Sequence, residues 1–234
     1  MSKKYTYEEF VDIINTLRSE NGCPWDREQT HESLRPCLME EAAEVLAAIR
    51  ILKETGNREN LQEELGDVLL QVVMHAQIAK EEGLFTMEDV VNDVAAKMVR
   101  RHPHVFGTIE VEGSDEVLQN WEEIKKKEKE GKSWVASPLK EVPRELPALT
   151  RAPKVLKKAD KFYDRHGTLA EDVTLMSESI KALEQAAGEA DKKALEAEVG
   201  NILMALSDIA RLYKLPLEQI LADRIEDFIE EYES

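Results

Sequence analysis

Four carboxylates fall into two pairs, each spanning one helical turn: Glu41-x-x-Glu44 and Glu64-x-x-Asp67. Residues i and i+3 share a helix face with Cβ atoms about 5–6 Å apart, so each pair repels itself mildly unless a cation sits between its members. The second pair opens the segment Glu63-Glu64-Leu65-Gly66-Asp67-Val68-Leu69-Leu70-Gln71-Val72-Val73, an apolar run expected to draw the acids toward a core. A carboxylate near an apolar interior must be paired, protonated or bound to metal, because stripping a charge of water is costly. One ExxE turn is common on solvated acidic helices. Two such turns on adjacent helices, each interrupting an apolar face, point to a divalent cation held by Glu41, Glu44, Glu64 and Asp67.

Two helices must position these groups. One is predicted over about residues 33–53, with Pro36 in its first turn and Thr55-Gly56-Asn57 closing it; the next covers about residues 58–82 and stops at Gly83. Their tight connection makes them antiparallel neighbours. The two acidic turns can then face each other across one seam and supply the oxygen ligands preferred by Mg²⁺, with Mn²⁺ as a substitute. A further helix starts at Thr86 and carries Lys97, Arg100 and Arg101 in its last turns before His102-Pro103. Cations suit a helix C-terminus, and beside a metal cage they would also spread the charge of a polyphosphate, which Arg does with a planar fork. Upstream, Thr6-Tyr7-Glu8-Glu9 is a capping box that opens a helix with Phe10, Ile13, Ile14 and Leu17 on one face. Residues 23–31 show no period and read as a loop, whose Trp25 either stacks on a ligand base or plugs the bundle end.

With 234 residues, 42% of them hydrophobic and 34% charged, the chain can build one large or two small globular domains. A net charge of −17 disfavours nucleic-acid polymers and anionic membranes as partners, while small phosphates arriving with Mg²⁺ remain compatible. Cys23 and Cys37 lack the neighbours of a zinc site, and neither a secretory apolar region nor a bilayer-spanning run is seen. The expected compartment is a reducing cytoplasm.

From Ser114 a helix with Trp121 and Lys125 runs into a charged stretch over residues 125–132, and Pro138, Pro143 and Pro147 punctuate the residues beyond it. The expected division is a domain over residues 1–131, a linker over 132–146 and a second domain over 147–234. The second half weakly repeats the first: Glu64-Leu65-Gly66-Asp67-Val68-Leu69-Leu70 matches Glu198-Val199-Gly200-Asn201-Ile202-Leu203-Met204. Extended along both halves, the repeat pairs Glu44 with Lys181, Asp67 with Asn201, Lys97 with Asp227, Arg100 with Glu230 and Arg101 with Glu231. Apolar spacing survives while the chemistry is reversed. Although the second half keeps Glu178 and Glu198, it reads as scaffold.

Taken together, Cys23-Pro24-Trp25-Asp26, Glu40-Glu41-Ala42-Ala43-Glu44, Glu64-Leu65-Gly66-Asp67 and the run from Lys97 through Arg100-Arg101-His102-Pro103-His104 to Gly107 resemble the MazG family. The resemblance covers the whole chain as a tandem pair, strongly through about residue 131. It implies the all-α nucleoside triphosphate pyrophosphatase fold in two bundles, and Mg²⁺-dependent hydrolysis between the α and β phosphates to a monophosphate and pyrophosphate, as in nucleotide-pool house-cleaning. Glu41, Glu44, Glu64 and Asp67 match the family's metal ligands, and Glu40 and Glu63 its flanking acids. The general base is then one of Glu40, Glu41 and Glu63. Lys97, Arg100 and Arg101 match the phosphate contacts, and Trp121 with Lys125 the pair near the base. The chain departs from the family at Cys37 and Asn60, where a basic residue is frequent, and its altered second half shifts activity to the first. Long apolar faces on an incomplete helix-pair core favour a homodimer. A di-iron bundle would need Glu-x-x-His turns, which the acidic motifs lack. The rival reading is a non-catalytic nucleotide- or partner-binding module.

Overall fold

Three helices begin with the same reciprocal capping device. Thr6 accepts from the Glu9 amide while the Glu9 carboxylate accepts from the Thr6 amide, opening α1 (Tyr7–Leu17). Thr86 with Asp89 opens α5 (Met87–Arg101), and Thr168 with Glu171 opens α9 (Leu169–Gly188). Each box satisfies two amides that a helix start leaves without partners. These helices belong to a computed structural model that describes residues 3–129 and 137–233. Among the described residues there is no strand, so the fold is all-α as expected, and none of the helices is long and apolar enough to cross a membrane.

The chain divides into two compact units, Met1–Glu128 and Lys129–Ser234. The first contains α1, α2 (Pro24–Glu28), α3 (Arg35–Thr55), α4 (Glu59–Glu81), α5, α6 (Pro103–Phe106) and nearly all of α7 (Ser114–Lys129). The second contains α8 (Ala148–Tyr163), α9, α10 (Lys192–Leu212) and α11 (Leu217–Glu233). Of the expected linker, residues 132–136 lie outside the described residues, as do the last members of the charged stretch. The rest of it turns back onto the second unit: Val142 is buried, and Lys158 of α8 pairs with Glu141 at 2.5 Å.

One local expectation changes. Residues 23–31 are not all loop, because Pro24 enters at a helix start with its φ already set and residues 24–28 wind into α2. The helix expected to about Lys53 ends at Thr55 and closes, as the Thr55-Gly56-Asn57 signal indicated, at Gly56, whose φ of 75° is left-handed.

The core of the first unit is organised on α4. Ile14, Leu34, Val73, Met74, Ala76, Ile78 and Met87 form one buried cluster, with Phe10, Val11, Leu17, Leu70, Val72 and Val90 against it. Burial along α4 begins at Gln71. Before that, α4 keeps its contact with α3 but exposes Leu65 and Leu69. The apolar run therefore does not carry the acids into the core, as the sequence suggested. It delivers them to the margin, because α1 and α5 supply core partners only to the second half of α4.

The second unit repeats this pattern with different side chains. Gln71, Val73, Met74 and Ala76 of α4 are buried, and so are Ala205, Ser207, Asp208 and Ala210, their counterparts in α10. In this unit α9 and α10 pack against each other, as α3 and α4 do in the first. Asp208 is fully buried where the first unit has Met74.

Candidate active site

The α3–α4 pair brings one carboxylate oxygen each from Glu41, Glu64 and Asp67 within 4.8 Å of one another, with all three side chains half-buried. Glu44, exposed and one turn on from Glu41, stays outside that triad, although its charge is felt at Glu64. Partial burial, then the charges of Glu44, Glu63 and Asp67, push the Glu64 carboxyl above its ordinary range, against a hydrogen bond from Asn60 Nδ2 at 2.7 Å. No ion pair neutralises Glu41, Glu64 or Asp67 among the described residues. Mutually repelling oxygens at this spacing, without a protein cation between them, fit a hard divalent ion such as Mg²⁺ or Mn²⁺. Asn60 is thus fixed to the site through Glu64, in place of the basic residue that the resemblance suggested. Glu40 and Glu63, the flanking acids, are exposed.

At the end of α5, the guanidinium groups of Arg100 and Arg101 both engage Glu128 of α7. Arg100 Nη2 lies 2.7 Å from Oε1, and Arg101 Nη2 lies 2.6 Å from Oε2. Hydrogen bonds from Arg101, and then from Arg100, hold the Glu128 carboxyl at about 2, well below the ordinary carboxylate range, despite the opposing effect of burial. The Trp121 ring receives Arg101 at 5.6 Å and the edge of His102 at 5.1 Å. Lys97 and Lys125 are half-buried and make no ion pair among the described residues. The structure therefore brings together Arg100, Arg101 and Trp121, and no described ion pair or hydrogen bond joins this group to the acids of α3 and α4.

Trp25 is 63% exposed, so it does not plug the bundle. Its segment is held from beneath by Arg18, which donates to the carbonyls of Asp26 and Gln29 and pairs with Glu81 of α4 at 2.7 Å. Next to it, His31 and His75 stack 5.1 Å apart with their Nδ1 atoms at 2.8 Å, and burial followed by the His31 charge lowers the His75 pKa. None of Arg18, His75 and Glu128 stood out in the sequence. For Glu128 a signal existed, since it follows Trp121 and Lys125 at i+7 and i+3 and shares their face of α7.

In the second unit, Asn201 Nδ2 donates to Glu198 at 3.2 Å, and Glu178 and Lys181 are exposed. On α11, Asp227 and Glu230 are exposed, and Glu231 pairs with Arg224 at 3.1 Å. Deeper in that unit Asp208 is gripped by Arg165 and by Arg211, the latter at 2.6 Å, and Arg211 also reaches Asp160 at 2.8 Å.

An all-α protein whose antiparallel helix pair carries a triad of acids suited to a cation is the class defined by this geometry. The MazG nucleotide pyrophosphohydrolase domain matches residues 29–106, which take in α3, α4 and α5. The nucleoside triphosphate pyrophosphohydrolase/pyrophosphatase MazG of Thermotoga maritima is 39% identical over 230 residues, covering 97% of this chain and 84% of that protein. The nucleoside triphosphate pyrophosphohydrolase of Escherichia coli K12 is 41% identical over 207 residues, 87% of this chain and 77% of its own length. YabN of Bacillus subtilis is 44% identical over 223 residues, which are 94% of this chain and 44% of YabN. The chain belongs to the MazG family.

Proposed function

We propose that the protein hydrolyses nucleoside triphosphates to the monophosphate and pyrophosphate with Mg²⁺, that residues 1–131 carry the activity, and that residues 147–234, beyond a linker at 132–146, form a degenerate second copy. The observation that carries this reading is the Glu41, Glu64 and Asp67 triad within 4.8 Å. These three residues, with Glu44 beside them, would hold the metal, which when bound neutralises phosphate charge and makes water more acidic. Water oxygen bonds to the α phosphorus, the bond from that phosphorus to the bridging oxygen breaks, and pyrophosphate leaves. Glu40, Glu41 or Glu63 accepts the proton from the attacking water. Arg100, Arg101 and Lys97 take up charge on the departing phosphates, in keeping with a reaction that asks a protein mainly for positioning and neutralisation. Trp121, Lys125 and the exposed Trp25 offer contacts to the nucleoside.

The same helix pair supports a homodimer. Met39, Leu46 and Ile49 on α3 and Leu65 and Leu69 on α4 are exposed apolar side chains of this pair, with Leu46 at 69% exposure. A second copy of the pair would bury them as a four-helix contact. Nucleotide-pool maintenance in a reducing cytoplasm is the role that fits such chemistry. A panel of standard and altered nucleoside triphosphates with Mg²⁺, scored for pyrophosphate against orthophosphate, tests the proposal. Pyrophosphate release is expected; nucleotide binding without turnover would establish a binding module instead.

A further inference from the structure

Glu128 is 13% exposed and satisfies two arginines at once. Its Oε1 accepts from Arg100 Nε at 2.8 Å as well as from Nη2, and its Oε2 accepts from Arg101 Nε at 3.1 Å as well as from Nη2. Each guanidinium is therefore held along its Nε–Nη2 edge. The Nη1 groups make no hydrogen bond among the described residues. A guanidinium carries five donors in a rigid fork, so a carboxylate on one edge fixes the plane and leaves the other edge for a second oxyanion. One carboxylate against two guanidinium groups also leaves the cluster with a net positive charge, where a pair of one to one would be neutral.

We infer that Glu128 is a positioning residue for the phosphate site: its carboxylate locks Arg100 and Arg101 side by side so that their free edges together receive the pyrophosphate end of the substrate. The inference rests on the proposed role of those two arginines. Trp121 completes the arrangement by covering the Arg101 guanidinium from α7, and Glu128 lies on the same face of that helix. A long flexible side chain pinned in this way loses less freedom when the anion arrives, which is how preorganisation raises affinity.

Inorganic pyrophosphate with Mg²⁺ is the probe, because it needs no choice of base, and calorimetry on the full chain reads its Kd. Glu128→Gln keeps the shape but turns an amide N–H₂ toward one guanidinium, and Glu128→Asp keeps the charge but retracts it from one of the two partners. Both should weaken binding about tenfold with unchanged circular dichroism. The triple variant Glu128→Gln with Arg100→Ala and Arg101→Ala should bind no worse than Arg100→Ala with Arg101→Ala alone. Equal or tighter binding by both Glu128 variants would make Glu128 a mere dock for α7 or a competitor for phosphate, and a further loss in the triple variant would overturn the coupling. If Arg100→Ala and Arg101→Ala themselves leave Kd unchanged, the phosphate reading fails; if they weaken binding while the Glu128 variants do not, only the present inference fails.

Discussion

In the first unit α3 and α4 gather Glu41, Glu64 and Asp67 at the margin and fill the buried end of α4 with Val73, Met74 and Ile78. In the second unit α9 and α10 place Lys181 and Asn201 where the repeat expects acids, and bury Ser207 and Asp208 where the first unit has Val73 and Met74. One unit keeps unmatched charge near water; the other keeps matched charge inside. Physical cost explains the division. Like charges on a half-exposed margin repel weakly and can be relieved by an ion, whereas a carboxylate in the core is tolerated only with partners, here Arg165 and Arg211. Gly167 belongs to the same solution, because a Cβ at that position would collide with Asp208 and Arg165. Two helix pairs thus either gather unpaired acids at a margin or bury a paired one, depending on a handful of positions.

The sharpest way to break the comparison is to empty the buried network. Asp208→Ala leaves two guanidinium groups facing a void and should cost the second unit about 3–5 kcal/mol. Hydrogen exchange should then lose amide protection in α9 and α10 while α4 keeps its own; uniform protection would show that the network carries little. Smaller, and at the other pair, Glu41→Gln or Asp67→Asn should weaken Mn²⁺ binding, monitored by electron paramagnetic resonance, by about a hundredfold, with helicity retained. Metal-free stability should rise by a few tenths of a kcal/mol, about what removing one like-charge contact on a helix gives. A pH-dependent effect concerns Asp172, whose carboxyl is raised from 3.8 by burial and then by the charge of Asp208, and whose Oδ2 has no hydrogen bond among the described residues. A raised acid favours the folded state while protonated, so its contribution is lost as pH climbs from about 4 through the raised value. Asp172→Asn should therefore stabilise the second unit at pH 7 by about 1 kcal/mol and lose this advantage near pH 4. An advantage that grew on acidification would reverse the sign.

Much of the first unit was readable because its signals are local. Thr6 with Glu9 announced a helix start, Gly56 announced a stop, and of the four i, i+3 acids on neighbouring helices Glu41, Glu64 and Asp67 announced their own meeting, while Glu44 stays outside it. Long-range choices were hidden. That α4 becomes buried only from Gln71 depends on where α1 and α5 land, and the apolar run from Val68 to Val73 shows no break there. Glu128 sat inside the charged stretch over residues 125–132, and its two partners lie in α5. Likewise nothing local marks Asp208 for Arg165, which reaches it from 43 residues away. Ion pairs between distant residues leave no period in a sequence.

The central claim is that the first unit's acids, and not their counterparts, support turnover. Pyrophosphate release from a nucleoside triphosphate with Mg²⁺ should be measured on the full chain for two variants, Glu41→Gln with Asp67→Asn in one and Glu178→Gln with Glu198→Gln in the other. The first should fall to background and the second should keep the parent rate. A parent rate in the first with loss in the second would contradict the claim.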